Sequence, residues 1–183
     1  MVSKSPARFY DQQKGMVKIG LISDTHGYLD EQVFRLFEPC TEIWHAGDFG
    51  NIEVARQLAA FRPLTGVYGN IDGTDVRDQY PETQRFNKMG LDVMMTHIGG
   101  YPPRYNSAVL KILRANPPQL LICGHSHILK VMYDNKLNCL HMNPGAAGRQ
   151  GWHVMRTVIR FDIDNGQPKN CEVIELGPRT GKP

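Results

Sequence analysis

Aspartate, asparagine and histidine recur in this sequence directly after short apolar runs, in an order that suits metal coordination. The seven candidate ligands contribute oxygen or nitrogen and no sulfur, and a set of this kind favours manganese, iron, zinc, nickel or cobalt over a thiolate zinc site. They fall into five blocks, Asp24-x-His26, Gly47-Asp48, Gly69-Asn70, Thr96-His97 and Gly124-His125-x-His127.

Each block alone has an ordinary structural explanation. A lone histidine is more often a packed structural residue than a ligand. Gly-Asp or Gly-Asn after a strand is more often a plain turn, because Asp and Asn tolerate left-handed backbone. The prediction of a metal site therefore depends on the complete ordered set, and His45, His141 and His153 are predicted to lie outside it.

The elements that precede the blocks follow a β-α-β-α-β pattern, after which the chain is mostly β. Asp30 and Asn51 are predicted to cap the first two helices, and a third helix is predicted over residues 107–115. The pattern predicts two packed sheets of about 10 strands, with helices on the outer faces. Strands are predicted over 17–23, 43–46, 64–68, 83–96 as a hairpin, 120–123, 129–133, 137–143, 154–162 and 171–176.

Five of these strands are expected to end at one edge of the sandwich, since ligands bind at the carboxyl ends of strands in α/β sheets. Residues i and i+2 of a strand share a side, so Asp24 and His26 can reach one cation together. His125 and His127 have the same spacing, but a loop could direct them to different ions. The glycines before Asp48, Asn70 and His125 allow sharp bends and close approach.

The ordered blocks, from Val17 to about Gly145, resemble the calcineurin-like metallophosphoesterase signature. Their spacing and the small size of the chain resemble the YfcE-like phosphodiesterase branch, where an Asn-Pro-Gly segment like Asn143-Pro144-Gly145 closes the site. The resemblance implies a four-layer α/β/β/α sandwich of two mixed sheets. It also implies hydrolysis of phosphate esters, with diesters favoured, by in-line attack of a hydroxide that bridges two metal ions.

The same resemblance implies which residues hold the two divalent ions, for which manganese is favoured. The bridging position suits a carboxylate, whose two oxygens can serve both ions. By this resemblance the first ion is held by Asp24, His26, Asp48 and His127, and the second by Asp48, Asn70, His97 and His125. The residues expected to take part in catalysis are Asp48, Asn70 and Asp72.

The sequence departs from the family at two blocks. Many relatives carry Gly-Asn-His-Glu, whose histidine is thought to protonate the leaving group, where this chain has Gly69-Asn70-Ile71-Asp72. Asp72 is predicted to be a partner that orients a ligand histidine, ahead of the alternative that it is a substitute acid. The subgroup often has Thr-His-Gly-His, where this chain has Thr96-His97-Ile98-Gly99 and lacks the second histidine.

Arginines near the blocks are candidate substrate contacts. Arg104 follows the fourth block in a segment that could bring a guanidinium to a phosphate oxygen, and a solvated loop arginine is the equal alternative. Arg77 and Arg149 are weaker candidates of the same kind.

Composition restricts the remaining possibilities. The 183 residues fit one domain over residues 16–183, after a polar stretch at 1–15 that is predicted to be a flexible leader. The net charge is only +3 without a Lys/Arg run, which gives no strong signal for nucleic acid or membrane. No signal peptide or span is evident, and the four scattered cysteines suggest buried free thiols in a reducing cytoplasm.

The expected partner is thus a small phosphate ester, and a homo-oligomer is compatible with the sequence. A second function stays open, a catalytically weak, metal-binding interaction scaffold like the retromer subunit of this fold. The complete ligand blocks favour an enzyme. A nuclease would be expected to have a longer chain and a basic groove.

Overall fold

The computed structural model describes residues 15–180, so the predicted leader lies outside it except for Gly15. Four helices and twelve strands make up this part of the chain. In order they are β1 Val17–Ile22, α1 Gln32–Leu36, β2 Glu42–His45, α2 Ile52–Phe61, β3 Leu64–Gly66, α3 Thr74–Arg77, β4 Thr83–Lys88, β5 Leu91–Thr96, β6 Gly100–Tyr101, β7 Arg104–Tyr105, α4 Ser107–Ala115, β8 Leu120–Ile122, β9 Lys130–Asp134, β10 Cys139–Asn143, β11 Met155–Asp164 and β12 Gln167–Pro178.

Ten of the strands form two mixed sheets, as the sequence predicted. The first sheet has the order β12-β11-β1-β2-β3, and the second has the order β4-β5-β8-β10-β9. Strands β1, β2 and β3 are parallel to one another, and so are β5, β8 and β10. Each parallel set directs its carboxyl ends to a single edge, which is where the candidate ligands lie.

Three apolar clusters separate four layers. The central cluster lies between the sheets, where side chains such as Leu21 and Trp44 pack with Met95 and Ile122. An outer cluster packs α1 and α2 on the first sheet, and another packs α4 on the second sheet. Burying apolar side chains on both faces of each sheet fixes the register of the strands, because a one-residue slip would expose them.

Local signals set the ends of the helices. The Asn51 side chain accepts a hydrogen bond from the Val54 N–H at 3.1 Å and so caps α2, as predicted. Asn106 caps α4, which has the predicted bounds and ends just before Pro117. For α1 the prediction was off by one residue, since the N-cap is Glu31 and not Asp30, although the Asp30 carboxylate accepts a hydrogen bond from the Gln32 N–H at 3.1 Å.

The end of the sandwich opposite the ligands is closed by two tight hairpins. Met89-Gly90 joins β4 to β5, and Asn165-Gly166 joins β11 to β12, with positive φ at all four residues. Asn-Gly is the preferred pair for a two-residue turn of this kind. Gly90 and Gly166 lie against each other, so the two sheets meet there through backbone alone.

Some features were not anticipated. The short helix α3 and the small hairpin β6–β7 were not predicted, because four-residue and two-residue elements have too little periodicity to detect. Cys40, Cys123 and Cys139 are buried free thiols as expected, whereas Cys171 is exposed. Within residues 15–180, no helix has the length and apolar character needed to cross a membrane.

Candidate metal centre

Five strand ends bring the predicted ligands to one edge of the sandwich. The segments after β1, β2 and β3 carry the ligands of the first sheet, and those after β5 and β8 carry the ligands of the second. The seven candidate ligands therefore lie in the loops at this edge, where six of them form two close groups of side chains. The seven are Asp24, His26, Asp48, Asn70, His97, His125 and His127.

One group of three side chains can hold an ion on the first-sheet side. Asp24, His26 and His127 each offer one ligand atom, and these atoms lie within 4.8 Å of one another. The two Nε2 atoms of His26 and His127 are 3.2 Å apart, and His127 Nε2 is 3.2 Å from Asp24 Oδ1. Asp24 is fully buried, whereas the two histidines are partly exposed.

A second group lies beside the first. Asp48, His97 and His125 offer ligand atoms that also lie within 4.8 Å of one another. Asp48 and His97 are buried, and His125 is exposed. Asn70 lines the same cavity as His97, directly after a glycine whose Cα approaches the Asp48 carboxylate so closely that a Cβ there would overlap it.

Asp48 lies between the two groups, with one oxygen facing each. Its Oδ1 is 3.2 Å from His97 Nε2, and its Oδ2 is 3.7 Å from His26 Nε2. A carboxylate in this position can serve two cations at once. Its assignment as the bridging ligand, like the other metal ligand assignments, stays a prediction.

His97 provides a direct test of whether the site suits a cation. Its Nδ1 lies 2.8 Å from the Ala46 carbonyl, which has no proton to donate, so Nδ1 carries the hydrogen. Its buried Nε2 has no hydrogen-bond partner and faces the Asp48 carboxylate. Either a second proton on the ring or a cation stabilises this arrangement. A ligand histidine fixed through its other nitrogen is typical of metal sites.

The electrostatics of the edge agree with this interpretation. Burial lowers the pKa of His97, but the nearby carboxylates of Asp48 and Asp24 outweigh burial and raise the pKa above its usual value. Burial likewise raises the pKa of Asp48, and the interaction with His97 more than offsets this and lowers it. Burial lowers the pKa of His26 and His125, which keeps both rings neutral and able to donate a lone pair.

The backbone at this edge adopts a conformation that side chains disfavour. Five of the seven candidate ligands have positive φ, between 49° and 66°. Asp and His are more tolerant of the left-handed region than most residues, but it remains costly for any residue with a Cβ. Such conformations persist where the surrounding structure enforces them, and they concentrate at functional sites. The five residues are Asp24, His26, Asp48, His125 and His127.

A buried network holds these turns in place, and sequence reasoning missed it. His45 accepts a hydrogen bond from the Gly47 N–H at Nδ1 (3.1 Å), so its Nε2–H faces Thr25 Oγ1 at 3.0 Å. The Thr25 hydroxyl in turn donates to the Phe49 carbonyl at 3.1 Å. Burial lowers the pKa of His45 well below its usual value and keeps the ring neutral. Its position three residues before Asp48 was the only available signal.

Asp72 contacts backbone rather than a ligand histidine. Its carboxylate is buried and accepts hydrogen bonds from the Gly50 N–H at 2.8 Å and the Gly69 N–H at 2.7 Å. It therefore ties the loop after Asp48 to the loop that carries Asn70. Both carboxylate oxygens of Asp72 thus accept a hydrogen bond from the backbone. Whether Asp72 has a catalytic role stays a prediction.

The three arginines lie in different surroundings. Arg104 is exposed on the β6–β7 hairpin, and its guanidinium makes no hydrogen bond or ion pair within the described residues. Arg149 lies over the Tyr28 ring at 4.2 Å. Arg77 lines the cavity that also contains Asn70 and His97. Arg104 does not line that cavity, and a contact of any of the three arginines with substrate stays a prediction.

His153 lies closer to the candidate ligands than the sequence indicated. Its ring is 5.2 Å from that of His127, edge to face, and its Nε2 is 3.1 Å from the Gly148 carbonyl. His141 bonds to the Gly100 carbonyl at 2.9 Å, on the side of the second sheet that faces β6 and β7. The Asn143 amide donates to the Gly124 carbonyl at 2.8 Å and so supports the loop of His125 and His127.

Comparison with known proteins agrees with this geometry. A family model of the calcineurin-like phosphoesterase superfamily domain matches residues 17–166. Similar solved structures include a novel archaeal phosphodiesterase (21% identity, TM-score 0.69, covering 87% of this chain and 99% of that one). Another is the wild-type Vps29 of Entamoeba histolytica complexed with zinc (20% identity, TM-score 0.64, 86% and 98%).

A third is a predicted phosphoesterase of Streptococcus pneumoniae (17% identity, TM-score 0.60, covering 88% of this chain and 98% of that one). No curated protein sequence matches the chain. At these identities, the likeness shows a shared fold.

Proposed function

The chain belongs to the calcineurin-like phosphoesterase superfamily, and we propose that it is a phosphodiesterase that uses two divalent metal ions at the edge where the five strands end. One observation carries the proposal. Two groups of lone-pair donors lie side by side, and Asp48 directs one oxygen to each. The chemistry of the donors fits two ions of the manganese, iron, zinc, nickel and cobalt class, and we favour manganese.

The metal ions, when bound, would lower the pKa of a water and polarise the phosphate oxygens. The protein holds the ligands for this task. Asp24 is fixed by the Ser23 hydroxyl, which donates to its Oδ2 at 2.6 Å, and by the His125 N–H at 3.1 Å. The Ile71 N–H donates to Asp48 Oδ1 at 3.1 Å. Ligands fixed in this way lose little conformational freedom when a cation binds.

Hydrolysis replaces one ester bond by a bond to water. The water oxygen forms a new P–O bond, the P–O bond to one alcohol breaks, and that alcohol leaves with a proton. Ile71 lies beside Asn70, with 46% of its surface exposed, at the position where many relatives carry an acidic imidazole. We propose that the departing alcohol receives little help from a protein acid, and that esters with good leaving groups react fastest.

Diesters are favoured over monoesters because the edge is open. Within residues 15–180, every element except the β6–β7 hairpin belongs to the two sheets or to the helices packed on them. No separate domain in this range encloses the edge, so there is space for two organic groups on the phosphate. The three buried thiols suit a reducing compartment, and we propose that the enzyme acts in the cytoplasm.

An interaction scaffold is the second candidate function. The loop beside His127 exposes two apolar side chains, Trp152 at 99% and Val154 at 81%, and exposed apolar groups are typical of protein interfaces. Vps29 structures are among those similar to this chain. A scaffold of this kind would bind metal but turn over no ester.

Elemental analysis and a metal-by-substrate screen on the same preparation test the proposal. We expect two equivalents of a transition metal per chain after reconstitution, and turnover of bis-p-nitrophenyl phosphate with manganese. The screen covers manganese, iron, zinc, nickel and cobalt. Two bound equivalents without turnover with any of these metals would contradict the enzyme and favour the scaffold.

A further inference from the structure

A groove opens from the candidate metal centre on the side of the second group of ligands. Its volume is about 560 Å³, within the range of about 300–1,000 Å³ typical of small-molecule sites. Asn70 and His97 form its inner end, so a molecule in the groove lies next to the reacting phosphate. We call it the Ile98 groove, and its lining also includes Ile98, Ile112, Tyr68 and Arg77.

One wall of the Ile98 groove is apolar. Ile98 follows a candidate ligand directly, and Val109 and Ile112 share one face of α4, since residues three apart on a helix are neighbours. Ile98 is 40% exposed and Ile112 is 44% exposed. When an apolar surface covers partly exposed aliphatic side chains, it removes them from water, and this contact is favourable.

The opposite wall is polar. The Tyr68 hydroxyl donates to the Glu82 carboxylate at 3.3 Å, and Thr83 donates to the Thr96 hydroxyl at 3.1 Å. Glu82 and Thr83 are exposed to the groove. The remaining carboxylate oxygen of Glu82 is therefore available to accept a hydrogen bond from a bound molecule.

Arg77 places a fixed positive charge near the ligand Asn70. Its Nε donates to the Asp72 carbonyl at 2.7 Å, its Nη2 donates to the Asn70 carbonyl at 3.3 Å, and its Cζ lies 4.5 Å from the centre of the Tyr68 ring. Among residues 15–180, none accepts a hydrogen bond from its Nη1. The guanidinium thus suits an anionic oxygen at the inner end of the groove.

We propose that the Ile98 groove binds one organic arm of the phosphodiester, and that this arm carries a flat ring with a polar edge, as a nucleoside does. The face of the ring covers Ile98 and Ile112, and its polar edge meets Glu82 and Thr83. A plain alkyl chain would satisfy the apolar wall and leave the polar wall unpaired, which costs affinity. This inference rests on the proposed function, because continuity with the metal ligands identifies the occupant as part of the substrate.

The first test locates the ring in metal-free protein by NMR of the isoleucine methyl groups. Adding thymidine should shift the signals of Ile98 and Ile112 and leave that of Ile163, in the core between the sheets, unchanged. The readout requires neither metal nor turnover, so it is independent of the proposed function. Shifts confined to other methyl groups, or no shift at the solubility limit of thymidine, would overturn the inference.

The second test compares inhibitors of bis-p-nitrophenyl phosphate hydrolysis. In the wild type, thymidine 5′-monophosphate should inhibit at least about 10-fold more strongly than methyl phosphate, since even one lost methylene contact in a pocket is worth about 10–200-fold. Ile112→Ala should reduce this preference several-fold and leave inhibition by methyl phosphate unchanged. Val173→Ala, a similarly exposed residue on β12, should change neither value.

Inhibition by octyl phosphate tests whether the groove binds an alkyl chain instead of a ring. If octyl phosphate inhibits more strongly than thymidine 5′-monophosphate, and Ile112→Ala weakens it most, the groove takes an alkyl arm and the proposed substrate class is wrong. If the generic diester is hydrolysed but no inhibitor responds to Ile112→Ala, the inference fails while the proposed function stands. If the wild type hydrolyses no diester but thymidine still shifts the signals of Ile98 and Ile112, the proposed function is wrong and the inference about the groove stands.

Discussion

The two ends of the sandwich use left-handed backbone for different purposes. At the hairpin end, it is adopted by residues suited to it, most clearly Asn165 and Gly166 between β11 and β12. At the ligand end, it is adopted by aspartates and histidines such as Asp48 and His125, which fill no hairpin turn of this kind. The turn residues at one end satisfy local geometry, whereas those at the other are required by the chemistry of their side chains.

The surroundings of the two ends differ in the same way. At the hairpin end, Gly90 and Asn165 are exposed, and the pairing of the joined strands holds the turns, with Gly90 and Gly166 in contact. The ligand end has a buried network from His45 through Thr25 to the Phe49 carbonyl, which enforces the unfavourable φ values. The backbone preference of each residue type therefore agrees with the structure at the hairpin end, where a turn only has to fold. It conflicts with the structure at the ligand end, where the turns position candidate ligands.

The largest expected effect comes from comparing one substitution at the ligand end with one at the hairpin end. His125→Ala should lower kcat/KM by more than about 100-fold, because even the partners that merely support metal ligands are worth about 10–100-fold. It should leave most of the stability of the metal-free protein, since the side chain is exposed. Steady-state kinetics and thermal unfolding in chelator measure both.

Asn165→Ala is the matched control at the hairpin. It should keep full activity and lower the free energy of unfolding by about 1 kcal/mol, because alanine disfavours positive φ. A collapse of metal-free stability in His125→Ala would show that this histidine serves the fold rather than the chemistry.

The next effect concerns the leaving group, because Ile71 stands where an acid stands in many relatives. General acid catalysis typically accelerates such reactions by about 10²–10⁴-fold. The ratio of the aryl to the alkyl diester hydrolysis rate should therefore be larger here than in relatives that have the imidazole. Ile71→His should raise alkyl ester turnover more than aryl ester turnover, whereas Ile71→Phe adds a ring without a proton and should not. A shallow dependence on leaving-group pKa in the wild type, with chemistry rate-limiting, would reveal an unidentified acid.

Asp72→Asn tests how the ligand loops are tied together. The amide can accept from only one of the two backbone N–H groups that the carboxylate serves. Metal affinity and the rates with aryl and alkyl esters should fall together, by about 10–100-fold. Asp78→Asn, at the exposed end of α3, should change none of them. Selective loss of alkyl ester turnover would instead assign Asp72 as the acid.

The smallest expected effect is the change in stability when the backbone strain at His125 is relieved. His125→Gly should raise metal-free stability by about 0.5 kcal/mol, because relief of the left-handed conformation exceeds the entropy cost of glycine. Asn165→Gly should lower it by a similar amount, since asparagine already suits its turn. Measurements in chelator are required because bound ions stabilise the native state. Changes of the same sign at both sites would contradict the distinction between the two ends.

Much of this architecture could be predicted from the sequence. The bounds of α4 agree with prediction, and the ten sheet strands were anticipated, because turn residues separate them and several, such as β1 and β8, are apolar runs. The ligands could be placed at one edge because parallel strands share a direction. The spacing after β8 could not show that His125 and His127 fall in different groups, since that depends on loop conformation.

The rest depends on contacts between segments that are distant in sequence. Asp72 meets the backbone of Gly50, 22 residues away, and no local pattern encodes that bond. His153 approaches His127 only because two loops fold together. The place of Arg77 in the groove depends on the short helix α3, which has too few residues to predict.

Metal content of the wild type and of Asp48→Ala tests the central claim most directly. Plasma spectrometry on protein reconstituted with manganese should find two equivalents in the wild type and neither in Asp48→Ala, because that carboxylate faces both groups of ligands. Asp92→Ala, which removes a surface carboxylate paired with Arg85, should keep both. Two full equivalents in folded Asp48→Ala would show that Asp48 does not bridge two ions, and would contradict the account.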